Sequence, residues 1–496
     1  MSHNEYSRHP ITDDEVHAAR HVRLKLLQDP YRPVYHFVAP EGHAMPFDPN
    51  GCVFWRGRHH LGYIYQERGQ HYWGHVSSLD LLHWRHHSPY LLPTADSPEQ
   101  GIFSGNSFLD RDGARVLCLY HGCDAGNCLA WSDDPDLENW HKLPGNPLVP
   151  NPPEPDKVDY TSWDPCGWIV DDTYYAVFGG QKNTVWKSPD LRHWTKCGPF
   201  LAHAYPGVDL YEDISCPDFF PLGDKWVMIC ISHRLGARYY VGRWENEQFH
   251  PEYHEMMSFS DNEFFAPESY FDDRGRRILL AWVFDGRSDA VRRDAGWSGM
   301  LSLPRAVTLG ADNRLAMEPV EELRRLRYNP CAWDESRIPA GGHVDVPFAA
   351  VMPNVLELEV ELAALGAAKA TEFGVQVCCS PDGAQHVSVG WEADGQRLKI
   401  DTRQAGPNLK KSRSVTGTAC CGVEAAPLPL GPDEPLRLRV FVDRCLVEAF
   451  ANDGRRALSR VVYPAAHATG IRLYARGGAA VARSLRVWDM MPANPY

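Results

Sequence analysis

The sequence predicts an all-β protein, a five-bladed β-propeller followed by a C-terminal antiparallel β-sandwich, and two observations carry that expectation. The first is a repeat: SSLDLLHW ending at Trp84, SDDPDLENW ending at Trp140 and SPDLRHW ending at Trp194 recur at spacings of 56 and 54 residues. Before each copy lies a run in which aromatic and β-branched residues alternate with polar ones around Gly, Asn or Asp turns, the pattern of short antiparallel strands. A strand-built period of about 55 residues is close to a propeller blade. The second is a change of texture after residue 340, where VLELEVELAAL and LRLRVFVD alternate strictly and Asn452-Asp453-Gly454 separates two strand runs as a strong hairpin signal.

Taken in order, residues 1–30 read as an N-terminal extension with one short helix, from DDEVHAARHVRLKLL. Residues 31–325 read as the propeller, with WVMICISHRLGARYYVGRW and RRILLAWVFDG continuing the strands beyond the third Trp element. EPVEELRRLRYNP reads as a short amphipathic helix broken by Pro, and a Gly-rich bend at AGGH marks the boundary. Residues 340–496 read as the sandwich.

Composition narrows the function classes. Fifty basic against 64 acidic residues give a net charge of −14, which argues against nucleic acid as a partner, because a phosphate binder needs a basic face. No run approaches the ~18 apolar residues of a membrane span, and the first residues lack the apolar core of a secretory signal, so a cytoplasmic protein without a membrane partner is expected. The 14 cysteines are too sparse for a disulfide scaffold and form no CxxC pair. His59-His60 and His83-Trp-Arg-His-His87 have no clustered acid at ligand spacing, and no glycine-rich phosphate loop precedes a helix, so neither metal nor cofactor is expected. The oligomeric state is left open. The 56 aromatic residues, 16 of them Trp, suit both strands and a sugar-binding cleft.

Three acidic positions stand where strand runs begin. Asp48 lies in Asp-Pro-Asn-Gly before CVFW, Asp164 in Ser-Trp-Asp-Pro, and Glu212-Asp213 shortly before Cys216-Pro217-Asp218. Equivalent positions in successive blades converge on one axial mouth. Convergent carboxylates suit glycoside hydrolysis, in which one attacks the sugar carbon, one protonates the leaving oxygen and others stabilise oxocarbenium charge.

Those segments, together with Trp73-Gly-His75, Phe103-Ser104-Gly105, Cys216-Pro217-Asp218-Phe219-Phe220, Trp297 to Arg305 and Asp443 to Gly454, resemble glycoside hydrolase family 32 in order from about residue 33 to 490. The family comprises invertases, fructan hydrolases and fructosyltransferases, and the resemblance implies the same propeller and sandwich. It also implies Asp48 as nucleophile, Asp164 as transition-state stabiliser, and an oligosaccharide or small glycoside as substrate. Against the family pattern, Phe47 stands for Asn, Ile64 for Gln, Trp163 for Arg, and Ser215 for the Glu that serves as acid/base.

A serine hydroxyl cannot donate a proton as a carboxylic acid does at neutral pH. Asp213, which shares strand parity with Ser215, or Glu212, whose longer side chain reaches in at a bulge, are the acid/base candidates, with Glu268 as a third. Loss of hydrogen-bonding groups at Phe47, Ile64 and Trp163 predicts an altered sugar specificity, with Trp73, Phe103 and Trp163 offering stacking surfaces and Ser104 and Glu268 polar contacts. The expected activity is a retaining exo-hydrolase of a terminal furanoside, β-fructofuranosidase-like. A catalytically silent carbohydrate-binding protein and a fructosyltransferase on the same scaffold are the alternatives.

Overall fold

The computed structural model describes residues 12–494 apart from 41, 43, 68, 367–368, 407–413 and 418. The expected helix is Asp13–Gln28, begun by two acidic residues that suit the positive end of a helix dipole; residues 1–11 lie outside the described part. No helix among the described residues is long and apolar enough to cross a membrane.

Five antiparallel sheets follow, each built from consecutive strands in chain order. Their first strands are Pro49–Trp55, Ile102–Leu109, Pro165–Val170, Ser215–Leu222 and Phe264–Phe271. Each first strand packs against the first strand of the next sheet, and the fifth against the first. That order is consistent with the five blades expected from the repeat.

The ring is laced by the segment leading into the first sheet. Leu301 N–H donates to the Phe37 carbonyl at 2.9 Å, Val38 bridges Met300, and Ala44 N–H donates to the Ser298 carbonyl at 3.3 Å.

The repeated Trp element has one local cause. In all three copies a serine (Ser78, Ser132, Ser188) precedes an aspartate (Asp80, Asp134, Asp190) whose Oδ1 accepts backbone amides just ahead of it in the turn. A leucine (Leu81, Leu137, Leu191) then takes a positive φ of 65°, 54° and 66°. Asx turns of this kind satisfy backbone donors locally and permit the tight reversal. Trp140 and Trp194 close theirs by donating to the carbonyls of Leu137 and Leu191.

Two larger sheets, of seven and six strands, form the C-terminal part. Leu356, Leu358, Val360 and Leu362 of Val355–Leu365 pack with Val375 and Val377 of Glu372–Cys379 and Val389 of Val387–Glu392 in the core between the two sheets, as strict alternation requires. The hairpin signal is realised: Leu446–Ala451 pairs with Arg456–Val461 across Asn452 to Arg455.

One boundary differs from the sequence reading. EPVEELRRLRYNP is a 3₁₀ turn, Glu321–Leu326, followed by the strand Arg327–Trp333, so the second unit begins near residue 327 rather than 340. The strand accommodates Pro330 because it is the edge of the seven-stranded sheet and its register shifts between Tyr328 and Cys331.

Candidate active site

The site gathers where the first strands begin, and most of them bulge there. In four of the five sheets the pairing of first and second strands slips near the start, at Asn50/Val53, Ile102/Gly105, Ser215/Asp218 and Phe265/Glu268. A bulge re-aims side chains out of the pleat alternation. At the Ser215/Asp218 slip, Cys216 takes a φ of 45°.

Asp48 and Asp164 meet at that cysteine. Cys216 Sγ lies 3.8 Å from Asp48 Oδ2 and 3.6 Å from Asp164 Oδ2, and its amide donates to Asp164 Oδ2 at 2.9 Å. Ser104 Oγ donates to Asp48 Oδ2 at 3.3 Å. Both carboxylates are buried, and each keeps its Oδ1 without a hydrogen bond from the described residues. Burial, and then the neighbouring charge of Asp164, pushes Asp48 up to about 7. Burial also raises Asp164, against the pull of the Cys216 amide and His121. Two buried acids with unfilled oxygens at one point are primed to receive a ligand that carries hydroxyls or positive charge.

The turn after Asp48 explains its glycine. Asn50 donates to the Asp48 carbonyl and accepts the Gly105 amide at 2.8 Å, tying the first sheet to the second. Gly51 has a φ of 61°, and a Cβ there would lie 2.9 Å from the ring of Trp73.

The expected acid/base pair is present but charged. Burial opposes ionisation of Glu212, yet Arg234 and Ser232 hold its carboxyl below the ordinary range. Burial likewise opposes ionisation of Asp213, which His233 holds down through its ring Nδ1 at 2.6 Å and its amide at 3.1 Å. Asp213 also accepts the Ser215 hydroxyl at 2.8 Å, and Trp163 donates to that hydroxyl at 3.1 Å. Neither Glu212 nor Asp213 is arranged as a proton donor. Glu268 is pushed well up by burial and by Asp218, but it accepts the amide of Cys52, inside the first strand and at its bulge.

Three expected sugar contacts face the wrong way. Phe47 is fully buried against Phe37 and Tyr63, because neighbours along an extended segment point to opposite sides and Asp48 takes the mouth. Ile64 gives Asp48 only a backbone bond, its amide to the Asp48 carbonyl at 3.1 Å, and its side chain packs between the first and second sheets. Trp73 is fully buried and donates to the Phe103 carbonyl at 3.0 Å. Phe103 and Trp163 remain partly accessible, with ring centroids 5.8 Å apart.

Beside them opens a cleft of about 1100 Å³ lined by His121, Trp163, Asp213, Ser215 and His233. Gln66, two residues past Ile64 on the same face of its strand, reaches Met45 in the segment that leads to Asp48 and lies 2.8 Å from His71. His121, Cys216 and His233 are site residues to which the sequence assigned no role. The histidines carry no local signal.

Residues 36–319 match the N-terminal domain of the glycosyl hydrolases family 32, and residues 334–489 match the C-terminal domain of the same family. A levanase of Bacillus subtilis (strain 168) is 28% identical over 93% of this chain and 72% of its own length. A sucrose-6-phosphate hydrolase of Escherichia coli is 28% identical over 97% of this chain and 100% of its own. Among solved structures, fructan 1-exohydrolase IIa of Cichorium intybus superposes with a TM-score of 0.80 at 23% identity, covering 94% of this chain and 98% of that one.

Proposed function

Because the chain belongs to glycosyl hydrolase family 32, and so is a glycoside hydrolase of the fructosidase type, we propose that it removes a terminal furanoside by a retaining mechanism with Asp48 as nucleophile and Asp164 as stabiliser. The observation that carries this reading is the meeting of two buried, incompletely bonded carboxylates at Cys216. Ionised Asp48 attacks the anomeric carbon and forms a glycosyl-enzyme that water then hydrolyses with net retention. Asp164 Oδ1 accepts sugar hydroxyls whose hydrogen bonds strengthen as positive charge develops on the ring. The relatives named levanase and fructan exohydrolase support a fructosyl substrate and attack at a chain end.

The grip on the terminal sugar differs from that expected for sucrose-type substrates. Trp163 sets an indole beside Phe103 and His121, with ring centroids 5.8 and 4.9 Å apart, so this wall stacks on a sugar face where a guanidinium would bind hydroxyls.

Wild type and Asp48→Asn, assayed on a panel of fructosides and arabinofuranosides, test the reading. A terminal sugar released with retained anomeric configuration, and a loss of at least about 10³-fold in the variant, is expected; equal activity in the two proteins overturns it. Ser215, at the position of the missing glutamate, favours one competing reading, a silent sugar-binding protein. Calorimetry would then show binding with no product after prolonged incubation.

A further inference from the structure

We propose that His233 donates the proton to the leaving-group oxygen, so that a histidine–aspartate pair does the work that no carboxylic acid at the cleft can do. The inference rests on the retaining reading above and extends it to the step that reading leaves without a donor.

His233 follows directly on the strand Lys225–Ser232, at the turn before Gly236–Glu245, and its side chain is 65% exposed on the wall of the cleft that Trp163 and Ser215 also line. Its Nδ1 is fixed on Asp213 Oδ2 at 2.6 Å, and the other oxygen of Asp213 holds the Ser215 hydroxyl at 2.8 Å. One carboxylate therefore joins the imidazole to Ser215, where the family pattern places its acid. Nε2 has no protein partner among the described residues and is the free end of the ring. Its charge acts on both Asp48 and Asp164. The bond to Asp213 outweighs desolvation and raises His233 above its ordinary value, as a group that must arrive protonated requires.

The other groups at the mouth fail as donors for stated reasons. Glu212 is ionised by Arg234, and Asp213 by His233 itself. Burial pushes the Cys216 thiol well up, which leaves it a very weak acid. Burial lowers His121, so it stands neutral, with Nδ1 3.0 Å from Asn127 Oδ1. Lys182 spends its ammonium on the carbonyls of Pro155 and Val158.

The step balances as written. The Asp48 carboxylate forms a C–O bond to the anomeric carbon while the glycosidic C–O bond breaks, and its electron pair leaves on the departing oxygen. That oxygen takes the proton from His233 Nε2, leaving neutral imidazole hydrogen-bonded to Asp213. In the second half the imidazole accepts a proton from the water that attacks the glycosyl-enzyme, and free Asp48 carboxylate and imidazolium are restored.

Leaving-group dependence tests the assignment. An alcohol must be protonated to leave, whereas 4-nitrophenolate departs without help. For His233→Ala, kcat/KM is expected to fall about 10²–10⁴-fold on methyl β-D-fructofuranoside and by less than about tenfold on 4-nitrophenyl β-D-fructofuranoside. Retained cleavage of the nitrophenyl substrate shows in the same assay that the variant is folded. A fall of equal size on both substrates, or on neither, overturns the role of His233. Asp48→Asn is expected to lose both activities. If it keeps either one, or if the wild type cleaves neither, the nucleophile reading fails and the proton donor goes with it.

Discussion

At the scale of single residues the site is a matter of which acid keeps its proton. As the proposed nucleophile Asp48 must be an anion, yet burial and Asp164 hold it near 7, so below that pH most of the free enzyme carries it neutral. kcat/KM should therefore rise with pH through a limb centred near 7. The titratable groups facing Asp48 are Asp164, Cys216 and His233. Removing the like charge in Asp164→Asn should move that limb to lower pH, though not to the ordinary aspartate value, because burial, the larger cause, remains. A pH–rate profile of the variant checks this, and a limb that stays put or climbs would show that Asp164 does not load Asp48. Asp48 and Asp164 were legible in the sequence because Asp-Pro at the start of a strand is a local pattern. His233 was not: its meaning comes from Asp213, 20 positions earlier, and two strands must pair before the contact exists. The misreading of Phe47 and Ile64 has a different origin, since both were judged by alignment to a pattern, whereas strand parity alone turns Phe47 away from the mouth.

At the scale of elements, the bulges decide what four of the five first strands show to the mouth. Gly51 sits inside the first of them, at a φ of 61°, with the Trp73 ring, Ser107 Oγ and the Tyr90 ring at 2.9, 3.1 and 3.2 Å from where a Cβ would stand. These rings are buried and cannot swing clear. Gly51→Ala should lower the denaturation midpoint by the equivalent of about 2 kcal/mol or more, and should weaken catalysis because Asp48 lies three residues away. An unchanged midpoint in denaturant would show that the turn relaxes freely. The Trp-closed turns and the Asn452 hairpin were readable because each depends on four to nine adjacent residues. The bulges were not readable, since a slip in pairing is a relation between two strands. The short helix expected in EPVEELRRLRYNP failed for the same reason: the partner of Arg327–Trp333 is Ala479–Met490, about 150 positions away.

At the scale of the whole molecule, the two parts are held by buried charge. Asp443 accepts the amides of Val34, Tyr35 and His36 at 2.8–2.9 Å, and His36 also contacts Glu448, which pairs with Arg305 of the fifth sheet. The tip of the Asn452 hairpin touches the same sheet, where the Gly454 carbonyl accepts the Met317 amide at 2.8 Å. Burial works against a charged His36, but hydrogen bonds to Asp443 and Glu448 overcome it and raise the ring to about 9. A histidine raised from 6.5 contributes stability that is fully present below that value and is lost as pH climbs to about 9. Unfolding free energies measured between pH 6 and 10 should lose about 3 kcal/mol more in the wild type than in His36→Gln, and parallel curves would remove His36 from the clamp. The clamp also sets an order of events during synthesis. The segment that delivers Asp48 to the mouth is anchored at residues 34–36 by an aspartate made more than 400 residues later. A nascent chain that has emerged only through residue 319 holds every strand of the ring and still lacks the pin for its leading edge. The setting of Asp48, the proposed nucleophile, is therefore completed from the far end of the message, and activity should begin only when the second unit has left the ribosome.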